Sequence, residues 1–150
     1  MSGVMGRFLV VKLADIGDAV LALPSLQSLR AAFPDSHIDV LTTEAGANVF
    51  RMSDSVDGVI TLAKQRFDHV RGLVSFGGLV ELATLTYRLR SRRYDTVLLL
   101  HHLTTAFGAR KFRALARATG AGNIAGLDNG RGEFLTHRAP DYGFGATPEW

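Results

Sequence analysis

Gly17 and Asp18 stand side by side just after the apolar run Arg7-Phe8-Leu9-Val10-Val11-Lys12. A carboxylate at the start of a helix is held ionised by the helix dipole and is able to accept a proton. Aspartate is equally a preferred N-cap, accepting from an N–H two or three residues on, and the two readings are compatible. Gly17 permits a backbone conformation closed to other residues, which suits a sharp turn from strand into helix. Lys12 ends that run, while Lys64 and Arg66 follow a later one. These cations suit an anionic group such as phosphate or carboxylate, or are solvated loop residues. His101 and His102 follow Asp95-Thr96-Val97-Leu98-Leu99-Leu100, and either line a pocket or are satisfied by local backbone. Thr104 and Thr105 suit a helix cap, and Asp15 a solvated loop.

Other chemistries lack their residues. The first loop has one glycine where a dinucleotide fingerprint needs three, and neither a P-loop nor a G-x-S-x-G elbow is present. His101-His102 has neither the helical spacing nor the carboxylate partners of a zinc site, so no metal is expected. The chain has no cysteine, which leaves no disulfide and no thiolate ligand.

The elements that must position these residues alternate in type. Arg7–Lys12 reads as a strand buried on both faces. Ala19, Leu23, Leu26, Leu29 and Ala32 then recur at helical spacing up to Pro34, with Pro24 expected to kink the helix. Strands are expected at 37–42, 56–62, 94–101 and 123–127, with helices at 44–50, 74–92 and 105–119. Such alternation forces a doubly wound parallel α/β sheet with helices on both faces. In such a sheet ligands bind beyond the carboxyl ends of the strands, where strand order reverses. For the order 3-2-1-4-5 that crevice lies between strands 1 and 4, at the loops holding Asp15 to Asp18 and His101 to Thr105. Residues 128–150, broken by glycine and proline, read as an irregular tail, and the ragged end at Trp150 reads as a truncation or a missing partner.

The 150 residues fit one domain, with a core of about 7–127, and 47% hydrophobic against 21% charged residues is an ordinary globular balance. No signal peptide is legible at the start, and the apolar runs fall far below the roughly 20 residues of a membrane span. A net charge of +3 comes with clusters at Arg88 to Arg93 and Arg110 to Arg117, which are either solvated helix faces or an attraction for anionic partners.

The segment from Lys12 to Leu26, with Gly17-Asp18 followed by Leu23-Pro24-Ser25-Leu26, resembles the opening of the ADP-heptose:lipopolysaccharide heptosyltransferases of glycosyltransferase family 9. Pro34 with His37-Ile38-Asp39-Val40, then Val56-Asp57-Gly58-Val59-Ile60, Tyr94 to Leu100, and Gly126 are similar to later family pieces in the same order. The resemblance covers roughly residues 7 to 137.

It implies the Rossmann-like amino-terminal half of a GT-B fold, which binds the acceptor, a lipopolysaccharide inner-core sugar. A second domain, absent here, would bind the nucleotide-sugar donor, ADP-heptose. The resemblance makes Asp18 the general base of an inverting, metal-independent transfer needing no other cofactor. Gly17, Lys12, Lys64, Arg66, His101 and His102 would surround the acceptor. A lipid-linked acceptor would place the protein in the cytoplasm at the inner face of the cytoplasmic membrane, in peripheral contact with it. Without the second domain the chain is expected to be inactive. A non-catalytic α/β binding module of the same ancestry is the alternative, with Asp18 only a cap. No nucleic-acid recognition motif supports a third reading built on the arginine clusters.

Overall fold

The computed structural model describes residues 5–63 and 76–140. Six parallel strands lie in the order β3-β2-β1-β4-β5-β6. They are β1 (Arg7–Lys12), β2 (His37–Thr42), β3 (Gly58–Thr61), β4 (Thr96–Leu99), β5 (Asn123–Asp128) and β6 (His137–Pro140). Among the described residues four helices alternate with them: α1 (Ile16–Ala32), α2 (Glu44–Arg51), α3 (Phe76–Ser91) and α4 (Ala106–Ala118). This is the doubly wound, Rossmann-like sheet that the alternation predicts. Strand order reverses at β1, which pairs with β2 on one side and β4 on the other.

β1 needs an unbroken apolar run because both its faces are covered. Leu9 and Val11 pack with Leu85, Leu89 and Leu115 of α3 and α4. Val10 faces the other way, among Ala19, Ala22 and Leu26 of α1 and Phe50 of α2. α1 buries little besides alanine, which lets its axis lie close to the sheet, and it runs unbroken through Pro24.

Residues 128–140 are not an irregular tail. β5 runs to Asp128, whose carboxylate accepts from the N–H groups of Gly130 and Gly132 at 2.9 Å each and closes the turn. The chain then returns as β6, exposed at every position and ending in proline. Both features fit an edge strand.

Buried charge fastens the amino ends of the strands. Asp39 on β2 is fully buried, yet its Oδ2 accepts from Arg92 Nη1 at 2.6 Å and from the Tyr94 hydroxyl at 2.5 Å. Its Oδ1 lies 2.9 Å from His37 Nε2. Burial first, and then the bond to Asp39, push the Tyr94 phenol well above its usual range and keep it protonated.

Asp57 makes the matching outer contact, accepting from Ile38 N–H at 2.7 Å and Arg30 Nη2 at 2.6 Å. Partial burial pushes its pKa up, but these bonds and the Arg30 charge outweigh it and hold the carboxyl below its ordinary 3.8. A depressed folded-state pKa means that the unfolded chain binds more protons in acid. The stabilisation is therefore complete above about pH 4 and is lost as pH falls through the folded-state value. Melting temperature is expected to fall as pH drops below about 4, and Asp57→Asn to flatten that fall while lowering the plateau above it; an unchanged profile in the variant would remove Asp57 as its source.

Candidate active site

The crevice expected at the strand-order reversal is present, between the carboxyl ends of β1 and β4. α1 begins at Ile16 with Asp15 in the N-cap position, extended at φ −76° and ψ 172°, although its side chain makes no capping bond. Asp18 is therefore not the N-cap but the third helical residue, exposed in the first turn. Capping alone does not account for it. Gly17 is the second helical residue and does not have a left-handed backbone. A Cβ there would meet nothing within 4 Å, so the expected strained turn is absent. What glycine leaves at this point is open space beside the carboxylate.

Two side chains expected to meet substrate join the strands. Lys12 Nζ donates to the Leu100 carbonyl at 3.1 Å. His101 Nε2 accepts from the buried Leu13 N–H at 2.7 Å, and its ring stacks on Phe112 with centroids 4.7 Å apart. Because an N–H donates to Nε2, the bonded imidazole is neutral, with its proton on Nδ1. His102 is exposed in the same loop. Lys64 and Arg66 lie outside the described residues.

The other flank of the loop is held from β2. Thr43, the N-cap of α2, accepts from Gly46 N–H and donates to the Ala14 carbonyl at 2.6 Å. Leu13 and Ala14 are thus gripped from both neighbouring strands, and that grip fixes where α1 starts and where Asp18 stands. Thr105 caps α4 through Gly108 N–H, as one of the two expected threonines. Asn129 and Arg131 both donate to the Leu103 carbonyl, at 3.1 and 3.4 Å, and pin the loop after β4. Thr43, Asn129 and Arg131 escaped sequence reasoning. A threonine directly before a helix with an acidic first residue was the only available sign, and it marked a cap rather than a link to Ala14.

Two outcomes follow. His101→Leu leaves the Leu13 N–H buried without an acceptor, at a cost of about 1–3 kcal/mol. Its amide hydrogen exchange is expected to accelerate, with His101→Gln recovering part of the protection; equal exchange in all three proteins would show that the loop does not depend on this bond. Gly17→Ala is expected to leave the melting temperature unchanged or raise it, because alanine is favoured over glycine in a helix by about 0.5–1 kcal/mol. A lowered melting temperature would contradict the open space seen around Gly17.

An apolar cavity of about 230 Å³ lies elsewhere, between α3 and α4, lined by Leu82, Leu85, Leu89 and Leu115 among others. Glu81 and Lys111 are its charged lining residues, and it lies apart from the Asp18 crevice.

A parallel sheet with its polar loops gathered at the β1–β4 carboxyl edge defines a Rossmann-like domain, the architecture of the amino-terminal half of GT-B glycosyltransferases. Among solved structures it is similar to the E. coli heptosyltransferase WaaC with ADP-2-deoxy-2-fluoro heptose, at TM-score 0.72 and 23% identity over 89% of this chain and 42% of that one. A glycosyl transferase of family 9 from Veillonella parvula DSM 2008 matches at TM-score 0.69 and 24% identity, over 89% and 36%. E. coli ADP-heptose lps heptosyltransferase II matches at 0.63 and 19%, over 88% and 34%. The chain thus spans between about a third and two fifths of the length of these structures. No protein-family model matches the sequence, and no curated protein does.

Proposed function

We propose that this chain is the acceptor-binding part of a heptosyltransferase-like glycosyltransferase, with Asp18 as general base. The observation that carries the reading is the exposed Asp18 carboxylate, held at the carboxyl edge of the central strand in a fold shared with a heptosyltransferase solved with an ADP-heptose analogue.

In the proposed reaction an acceptor hydroxyl oxygen attacks the anomeric carbon of ADP-heptose. The new C–O bond forms on the face opposite the departing ADP, which inverts that carbon, and Asp18 takes the hydroxyl proton. A sugar hydroxyl is a poor nucleophile, so removing its proton as the bond forms is where a carboxylate contributes most. His102 and Gly17 would line the acceptor pocket, with Lys64 and Arg66 toward its anionic groups. Lys12 and His101 would act on it through the loop they hold. The donor belongs to a second domain, and no metal or other cofactor takes part. A lipopolysaccharide core acceptor, itself lipid-linked, would place the reaction at the cytoplasmic face of the membrane; no helix among the described residues is long and apolar enough to cross one.

The test joins this chain to the donor-binding half of a family 9 enzyme and follows ADP release with ADP-heptose and a core acceptor, in the presence of chelator. Heptose transfer is expected from the joined protein and none from the chain alone, because half a cleft cannot hold both reactants in line. In parallel, the acceptor is titrated into the isotopically labelled chain alone, where amide shifts are expected at Gly17 and Asp18. Shifts without transfer would favour a non-catalytic binding module, and neither signal would sink the proposal.

A further inference from the structure

α3 carries two apolar stripes on opposite sides. Gly78, Leu85 and Leu89 face the core. Phe76, Val80 and Tyr87, at spacings of four and seven, fall on the reverse side, 84%, 52% and 75% exposed. Leu79 lies beside that outer stripe, 53% exposed. On α4, which packs beside α3 on the same face of the sheet, the outward side presents Phe107, with Lys111 Nζ 5.1 Å from its ring centroid. Large side chains lined up in this way along an outer surface mark an interaction site, where single exposed apolar residues would not.

Charge identifies the partner. Residues 76–118 carry eight arginines and lysines against Glu81 and Asp95 alone, whereas the rest of the chain carries nine against twelve acids. Arg88, Arg90, Arg110, Arg113 and Arg117 are all exposed on this layer. So one side of the sheet is strongly cationic and the overall charge of +3 conceals it. A second copy of the chain would bring like charge against like charge. A nucleic acid would satisfy the arginines but leave the Phe76-Val80-Tyr87 stripe in water. An anionic lipid surface satisfies both, taking the aromatic and aliphatic side chains into the headgroup layer while the guanidinium groups meet phosphates.

We propose that the outer face of α3 and α4 is a docking surface for anionic membrane lipid. Helices in this fold run antiparallel to the strands, so Phe76 and Phe107, at the starts of α3 and α4, stand at the same end of the sheet as Asp18. Phe76 and Phe107 lie toward the crevice, and Arg88, Arg90 and Arg117 toward the opposite end. A lipid-linked molecule reaching the crevice would not have to leave the bilayer surface far behind. The surface itself does not depend on the reaction assigned above, and vesicle binding tests it separately.

The experiment is flotation of the 150-residue chain with phosphatidylcholine vesicles, with and without 30 mol% phosphatidylglycerol. Binding is expected with the anionic vesicles alone and is expected to weaken as salt rises. Arg110→Gln with Arg117→Gln should weaken it about 25-fold, roughly fivefold for each arginine. Val80→Gln with Tyr87→Gln should weaken it about tenfold or more. All four positions are exposed, and circular dichroism and thermal melting confirm that the variants fold. Absence of flotation with anionic vesicles would overturn the proposal, as would equal binding to neutral ones. So would an apolar pair variant that binds normally while random duplex DNA displaces the vesicles, or self-association that the apolar pair variant abolishes.

Discussion

Asp18→Asn is expected to lower kcat by about 10²- to 10⁴-fold in the enzyme formed by this chain and a donor-binding half, with little change in KM for the acceptor. Asparagine keeps the shape of the side chain and its place in the first turn of α1, so the acceptor still docks against the same wall. What it cannot do is take the hydroxyl proton. Asp15 holds the N-cap position of α1, and Asp18 is exposed in the first turn. The variant loses only its favourable placement at the helix start, too small a change to unfold a domain. Steady-state rates at several acceptor concentrations separate the two parameters, and a kcat within a few-fold of the parent would remove Asp18 as the base.

The second large effect is on stability. Asp39→Ala is expected to cost about 3–5 kcal/mol, because it strands the Arg92 guanidinium and the Tyr94 hydroxyl beside an empty site. Tyr94→Phe removes one bond to a buried charge and should cost about 1.5–3 kcal/mol. Against a total stability of about 5–15 kcal/mol for an ordinary domain, the first change brings the chain close to unfolding at 37 °C. Urea denaturation measures both. Replacing the set by apolar residues of similar volume should recover much of the loss, since a buried charge is costly when it is left without its partners. Gly58→Ala should disturb the same cluster from the other side, because its methyl group would overlap the Asp39 carboxylate, which has no room to move. An Asp39→Ala loss below about 1 kcal/mol would contradict this account.

These residues show what the sequence could and could not disclose. The alternation of apolar runs was enough for the first five strands, the four helices and the crevice, because each run reflects a local period and the fold follows from their order. β6 was missed because His137-Arg138-Ala139-Pro140 has no apolar period; an edge strand exposed on its surface needs none. Asp15 and Asp18 stand three residues apart and are chemically alike, so only the backbone decides which one caps α1. The links that set the site join distant residues: Lys12 to Leu100, Leu13 to His101 and Ala14 to Thr43. No spacing along the chain announces them. His101 and Lys12 stand at the carboxyl ends of β4 and β1, and each bonds a backbone group of the neighbouring loop.

The bonds from Lys12 to Leu100 and from Leu13 to His101 each span 88 positions of the chain. On the ribosome, β1 finds β2 soon after it emerges, but its other edge stays open until β4 has been made. At roughly 5–20 residues per second that interval lasts for seconds. For all that time a bare, apolar strand edge, Phe8 to Val11, offers itself to any other extended chain nearby. Rescue of misassembled protein by a chaperone, or by faster synthesis, should therefore depend most on the stretch between residues 42 and 96.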